Sequence, residues 1–400
     1  MNLGLYISVP FCRTKCSYCN FASDVFSKGA YESYVARVLE DIAGSRGVTS
    51  SLGCTLPETV DSIYLGGGTP SILDTEQLRR IFAAVREHFA VASDAEVTVE
   101  CAPGTLTPPL IETLLACGVN RVSLGAQSFV DQEAQSVGRL HTRATVLEEI
   151  ARLRSAGIDN INVDLIAGLP HQTAESWTYS LHEAVATGVP HVSVYMLEVD
   201  EDSRLGRELI AGGTRYHAHF VPDEEVTADF YLEACDSLHA AGIAQYEISN
   251  FARAGLESRH NLKYWTRQPY FGFGVDAHSM LISGGSSSVR AVRFSAPDSL
   301  DAYMNHGPQV VTPVSEHAAL EESFFLGLRL NRGVDLDCVR AEFGRERVAV
   351  CEAAIEECVR EELLERRGTK IRLTGRGRLL SNEVFGRFLT EERTVGATPA

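Results

Sequence analysis

Tyr6-Ile-Ser-Val-Pro-Phe-Cys-Arg-Thr-Lys-Cys-Ser-Tyr-Cys19 is the stretch on which the reading turns. Its cysteines, Cys12, Cys16 and Cys19, have C-x3-C-x2-C spacing. They follow a short apolar run, Leu3–Val9, that predicts a β-strand. Three thiolates can hold three irons of a cubane [4Fe–4S] cluster and leave the fourth open to a small molecule. Four-cysteine sites are closed, so a three-cysteine loop points to chemistry more than to electron storage. A zinc site short of one ligand is one alternative and three incidental thiols another. Zinc takes four protein ligands, or three plus water, from paired elements such as C-x2-C or H-x3-H. No such pair follows in the sequence.

The loop resembles the hallmark of the radical S-adenosylmethionine (SAM) superfamily. That resemblance implies that SAM chelates the open iron through its amino and carboxylate groups. It also implies that an electron from the cluster cleaves SAM to a 5′-deoxyadenosyl radical. Such chemistry belongs to the cofactor, and the protein positions and shields it.

Outward from the loop, short β-rich runs alternate with helical patterns. Strands are predicted at Leu3–Val9, Ser62–Leu65, Glu96–Glu100, Arg121–Leu124, Ile161–Ile166 and His191–Leu197. Amphipathic helices are predicted at Ala30–Ala43, Thr75–Phe89, Pro108–Ala116, Thr145–Ala156 and Ala174–Thr187. Asp74, with Gln77 three residues on, predicts an N-cap and capping box. Alternation of this kind means a parallel sheet with right-handed crossovers. Six units suit an incomplete (β/α)6 barrel, the fold the resemblance implies. Asp200–Pro222, Ser283–Val289 and Ala296–Pro313 read as loops. Glu224–His239 reads as a helix and Gln245–Asn250 as a strand. From Leu320 a small, mainly helical unit with a hairpin near Lys370–Leu373 is expected. The expected units are 1–198, the partial-barrel core; 199–313, an extension with mobile loops; 314–394, a helical C-terminal domain; and 395–400, a disordered tail.

Gly66-Gly67-Gly68-Thr69, Glu100, Gln127 and Asp164 each fall within or just past a predicted strand. In parallel α/β barrels the C-terminal strand ends form the active face. The resemblance implies SAM contacts from Tyr6, Gly67, Gly68, Thr69, Glu100, Gln127, Arg139 and Asp164. A guanidinium fork such as Arg139 suits the SAM carboxylate, and a carboxylate such as Asp164 suits ribose hydroxyls. The alternative is a set of salt bridges along a barrel rim.

The chain has 400 residues, 44% hydrophobic and 22% charged, enough for one large domain plus an appendage. Its net charge of −17 argues against non-specific binding to nucleic acid. No run of 18 apolar residues suggests a transmembrane helix, and the first residues lack the pattern of a secretory signal. Seven further cysteines are scattered in mostly apolar segments, which favours packing thiols in a reducing cytoplasm. Cys351 and Cys358, at heptad spacing, read as packing residues.

Asn162-Val-Asp-Leu-Ile-Ala-Gly-Leu-Pro170, Gly125-Ala-Gln-Ser-Phe129, Tyr246-Glu-Ile-Ser-Asn-Phe-Ala252 and Leu373-Thr-Gly-Arg-Gly377 with Ser381-Asn382 resemble the oxygen-independent coproporphyrinogen III oxidase group. The likeness covers nearly the whole chain. Three features lean to its haem-chaperone branch, HemW, whose members bind haem and pass it to haemoproteins. Phe21 stands where the oxidases carry a further cysteine. Only five residues precede Tyr6, where the oxidases have a long arm. His260-Asn-Leu-Lys-Tyr-Trp265 matches that branch's H-N-x-x-Y-W signature. Ser8 departs from the histidine that many members carry. His260 is either an axial haem ligand on a movable surface segment or a hydrogen-bonded structural histidine. The expected function is a haem chaperone that binds a [4Fe–4S] cluster and SAM. The alternative is an oxygen-independent coproporphyrinogen III oxidase. A radical enzyme on an unrelated substrate is a third reading, disfavoured by the lack of extra domains. Expected partners are haem and acceptor haemoproteins, among them respiratory membrane complexes, with no nucleic acid and with a homodimer as a further expectation. The expected location is the cytoplasm, with peripheral contact at the inner membrane.

Overall fold

The structure, a computed structural model, describes residues 1–201, 203–285 and 289–389. The expectation for Val395–Ala400 lies outside those residues. Six parallel strands form the centre: β1 (Leu3–Val9), β3 (Thr59–Gly67), β4 (Ala90–Cys101), β5 (Arg121–Gln127), β6 (Asn160–Ala167) and β7 (His191–Met196). A short β2 (Cys54–Thr55) lies between the first two in sequence. The intervening helices are α1 (Lys28–Ser51), α2 (Thr75–His88), α3 (Pro108–Ala116), α4 (Asp131–Ser136), α5 (Arg143–Ser155) and α6 (Ala174–Ala186). The predicted bounds of β1 and α3 match the observed ones. Asp74 caps α2 through a capping box with Gln77, as its spacing predicts.

The sheet continues on both sides. α7 (Arg204–Ala211) and α8 (Glu224–Ala240) lead to β8 (Ala244–Gln245) and β9 (Asn250–Ala252). After α9 (Arg259–Trp265) come β10 (Tyr270–Phe273), β11 (His278–Ser283), β12 (Val289–Ser295), α10 (Leu300–Met304) and β13 (Val310–Ser315). Strand order is β13-β12-β11-β10-β1-β3-β4-β5-β6-β7-β9-β8, with β2 on β11. The path does not return on itself, so the (β/α)6 core is an incomplete barrel. β10 joins β1 in parallel, whereas β9 and β11 to β13 join antiparallel.

The apolar side of this sheet lies under the helices. Leu78, Ile81, Phe82 and Val85 of α2 repeat at helical spacing and are buried against Ile63, Leu65, Val97 and Val99. The opposite side is enclosed and polar: Ser62, Thr98, Arg121, Ser123, Asn162, His191 and Ser193 are buried.

Three expectations need correction. Asp200–Pro222 is not all loop, because it contains α7, docked where the Leu205 N–H donates to the Ser17 carbonyl (2.8 Å). Gln245–Asn250 is not one strand: between β8 and β9 the chain turns so that Glu247 takes the Ser249 N–H (3.0 Å) and faces Arg329 (3.6 Å). Ala296–Pro313 contains α10 and the start of β13, held against β12. The remainder comprises α11 (Glu316–Phe325), β14 (Val334–Asp335), α12 (Leu336–Phe343), α13 (Arg345–Ala349), α14 (Glu352–Arg360), the hairpin β15 (Leu364–Arg367) and β16 (Lys370–Leu373), α15 (Gly375–Leu379) and α16 (Ser381–Gly386). Cys351 and Cys358 are buried in its core.

Candidate functional site

The cysteine loop is fastened to the strand ends by backbone. Past β1, the Val9 carbonyl accepts the Gly68 N–H (2.9 Å) and the Phe11 carbonyl the Thr69 N–H (2.8 Å). Gly67 has φ +97°, a conformation that favours glycine. A Cβ on Gly68 would stand 2.7 Å from the Val9 carbonyl oxygen. The Gly66–Thr69 turn therefore lies flush against the cysteine loop. On the other side Thr14 Oγ1 donates to the Gly138 carbonyl (3.0 Å) and the Ser17 N–H to the Val137 carbonyl (3.1 Å).

The thiols have polar company. Thr69 Oγ1 donates to Cys12 Sγ at 3.7 Å, Arg139 Nη1 lies 3.6 Å from Cys16 Sγ, and Ser23 Oγ 3.9 Å from Cys19 Sγ. Burial pushes the Cys12 and Cys19 thiols up in pKa, partly opposed by these hydroxyls. Among the described residues no three His, Cys, Asp or Glu side chains converge on one metal ion. A cubane does not require that, since it takes each thiolate on a different iron. Three thiols on one loop beside a fixed guanidinium suit an anionic thiolate cluster, and they are the residues that would hold it. When bound, it would supply one electron and an open iron.

Glu100 and Asp164 are half-buried on the enclosed side of the sheet. Tyr64 OH donates to Glu100 Oε1 at 2.7 Å. Burial first, then repulsion from Asp164, raises the Glu100 carboxyl to about 7 against the lowering effect of Tyr64 and the Gly67 N–H. Asp164 accepts from Ser123 Oγ (3.1 Å) and Asn162 Nδ2 (2.7 Å). Burial still pushes its carboxyl up, because those bonds offset only part of the desolvation. Arg139 also donates to the Gly125 carbonyl, and its Nε is buried without a partner. Gln127 ends β5 in the left-handed region, φ +67°. Its Nε2 lies 3.0 Å from where a Cβ on Gly125 would stand.

Tyr6, Gly67, Gly68, Thr69, Glu100, Gln127, Arg139 and Asp164 thus gather around one mouth beside the three cysteines. His260 lies deeper, behind Tyr64 and Tyr6, its ring centroid 5.3 and 6.4 Å from theirs. Its segment is helix α9, not a movable surface loop, and it sits toward the N-terminal strand ends. There Lys263 Nζ meets the Asn2 carbonyl (2.9 Å) and Asp61 (2.6 Å). His260 is 1% exposed, with Nδ1 on Ser62 Oγ (3.0 Å) and Nε2 on Tyr264 OH (2.8 Å). Burial, aided by Lys263, drops its pKa to about 3. Both nitrogens being engaged inside a closed site, iron ligation through either would require its hydrogen bond to break and the site to open.

Tyr64, Ser123, Asn162 and Ser193 belong to the same network, which the motifs alone do not mark. Asn162 Nδ2 reaches Ser123 Oγ (2.7 Å) and Ser193 Oγ (2.9 Å), and Asn162 Oδ1 meets His191 Nδ1 (2.6 Å). Polar residues at alternate positions of β5 to β7 were the signal.

Residues 6–184 match the radical SAM superfamily, and residues 314–380 match the HemN C-terminal domain. The heme chaperone HemW of Bacillus subtilis is 34% identical, over 96% of this chain and 99% of that one. That of Lactococcus lactis is 31% identical over 97% of each chain. Coproporphyrinogen III oxidase (HemN) from Escherichia coli superposes with a TM-score of 0.81, covering 97% of this chain and 90% of that one. At 21% identity this shows the shared fold. On the near-full-length likeness to its relatives, the chain belongs to the HemW haem chaperone family of the radical SAM superfamily.

Proposed function

We propose that this chain is a haem chaperone that carries a [4Fe–4S] cluster on Cys12, Cys16 and Cys19 and binds SAM beside it. The near-full-length likeness to haem chaperones carries this reading. SAM is assigned to Tyr6, Gly67, Gly68, Thr69, Glu100, Gln127, Arg139 and Asp164. A half-buried Glu100 held near neutrality suits a ligand that brings positive charge, as a sulfonium does. Haem is the cargo, and acceptor haemoproteins, respiratory membrane complexes among them, are the recipients. A homodimer and a cytoplasmic location with peripheral contact at the inner membrane complete the proposal. Among the described residues no helix is long and apolar enough to cross a membrane. Residues 1–198, 199–313 and 314–394 are assigned as barrel core, extension and C-terminal unit. The chaperone reading is favoured over coproporphyrinogen oxidation by Phe21, which stands at the rim, 63% exposed, where a fourth cysteine would distinguish the oxidases.

The test is haem titration beside a turnover assay, on protein whose cluster has been reconstituted anaerobically. Stoichiometric haem binding, with no decarboxylation of coproporphyrinogen III when SAM and reductant are supplied, is expected. Multiple turnovers of coproporphyrinogen would replace the chaperone with the oxidase.

A further inference from the structure

Beside the mouth lies a cavity of about 290 Å³ that the cluster and SAM assignments leave largely unused. It shares Tyr6 and Gly67 with them and extends away, between β1 and the β10–β11 turn. Its inner end is aromatic: Tyr264 and Tyr270 meet edge to face, 4.6 Å between centroids and 87° between planes. Ala22 and Val275 continue the apolar wall, and Phe21 stands at the outer rim. His278 and Asp276 mark the opposite rim.

We propose that this cavity receives one edge of the haem, with His278 as axial ligand to the iron and Phe21 against the porphyrin face. The inference rests on the chaperone reading and adds a site to it. Size is the first argument. Small-molecule pockets run from about 300 to 1,000 Å³, so this one admits part of a flat tetrapyrrole and leaves the rest outside. A carrier that must release its cargo needs that shallow hold. Chemistry is the second. A flat apolar macrocycle matches aromatic walls, and imidazole is a common axial haem ligand. The His278 side chain is 68% exposed, and its Nε2 is 3.6 Å from Asp276 Oδ1. A carboxylate behind one ring nitrogen orients the ring and strengthens the other as a ligand. His260, by contrast, is enclosed with both nitrogens bonded, and it braces Tyr264 from behind the cavity. Charge is the third. Lys15 Nζ lies 3.4 Å from the Phe21 carbonyl, an exposed ammonium beside the rim that can meet a propionate.

Haem titration of full-length, cluster-loaded protein separates the outcomes. His278→Ala, at an exposed position, should fold normally. It should weaken haem binding at least tenfold, shift the Soret band and lose the imidazole signature in resonance Raman. Added imidazole should restore that signature. Ala22→Trp, which fills the cavity, should weaken binding with His278 intact. Iron content of the cluster should hold in both variants, and SAM affinity in His278→Ala. If wild-type protein binds haem and both variants bind it with the same affinity and spectrum, the cavity is not the site, although the chaperone reading stands. If wild-type protein binds no haem, the chaperone reading itself fails.

Discussion

Glu100 shows how burial sets the behaviour of one residue. An unfolded glutamate titrates near 4.5, and the folded one near 7, chiefly through burial. Between those values the native state holds a proton that the unfolded state has released. Stability therefore falls as pH rises from 4.5 to 7 and stays reduced above. At about 1.4 kcal/mol per pH unit, the cost is on the order of 3 kcal/mol. Glu100→Gln keeps an acceptor for Tyr64 and removes the ionisation. The variant should be more stable than the parent by about 2–3 kcal/mol at pH 8 in urea unfolding, with the two curves converging below pH 5. Equal stability at both pH values would mean that Glu100 is well solvated. The carboxylates were legible as residues at strand ends, but their environment was not. In β6 and β7 polar side chains alternate with apolar ones: Asn162 and Asp164, then His191, Ser193 and Tyr195. A strand with one side in water reads the same way. Only the assembled barrel shows that here the polar side is enclosed and the apolar side lies under helices.

At the scale of elements, the glycine turn and the cysteine loop behave as one piece. Gly68 sits where a Cβ would strike the Val9 and Phe11 carbonyl oxygens, at 2.7 and 2.9 Å. Those are backbone atoms, so the end of β1 and the loop after it would have to move. Gly68→Ala should destabilise by about 1–3 kcal/mol, the usual cost of overpacking, and should lower the iron bound per chain after reconstitution. Gly44→Ala, in α1 with nothing within 4 Å of its new methyl, is the control. It should stabilise slightly, by about 0.5–1 kcal/mol, and leave iron content unchanged. Normal cluster loading in Gly68→Ala would show that the turn does not position the cysteines. The long barrel elements were legible because periodicity and caps agree within each segment. α7 and α9 were not. α7 is eight residues long and carries Gly206 in its first turn, and its docking on Ser17 comes from a partner nearly 190 positions away. α9 is seven residues long and looks like a loop between glycines. Its Ser258 cap and the Glu96 carboxylate that accepts the Arg259 and His260 N–H groups, both at 3.1 Å, fix it in place.

Across the whole molecule, the C-terminal unit and the barrel share a core. Phe324, Leu328, Ile355 and Phe388 pack in one cluster with Ile248, Tyr270, Met280 and Ala291 from the barrel side. Polar contacts cross the same seam. Arg329 lies over Trp265, 4.2 Å from its ring centroid, and 3.6 Å from the fully buried Glu247. Glu322 meets Arg293 at 3.0 Å, and Asn331 Nδ2 donates to the Gln245 carbonyl at 2.8 Å. Separation would expose apolar surface and part Glu247 from Arg329, the first a cost of several kcal/mol. The sequence shows a change of pattern near Leu320 but cannot show this seam, because Ile248, Tyr270, Met280 and Ala291 join its core from segments far upstream. The two tryptophans report on the two sides. Trp177 is buried in the barrel, its Nε1 donating to the Phe230 carbonyl at 2.7 Å, whereas Trp265 lies on the seam. Trp265→Phe leaves fluorescence from the barrel alone, and Trp177→Phe leaves it from the seam. Both variants should unfold in urea at the midpoint that circular dichroism gives for the same variant, as one cooperative transition. A chain ended at residue 313 should collect in the insoluble fraction, because Tyr270 and Met280 lose their cover. If the seam signal melts first and the truncated chain remains folded, the C-terminal unit is an independent domain resting on the barrel, and the wall that Tyr270 gives the haem cavity does not depend on it.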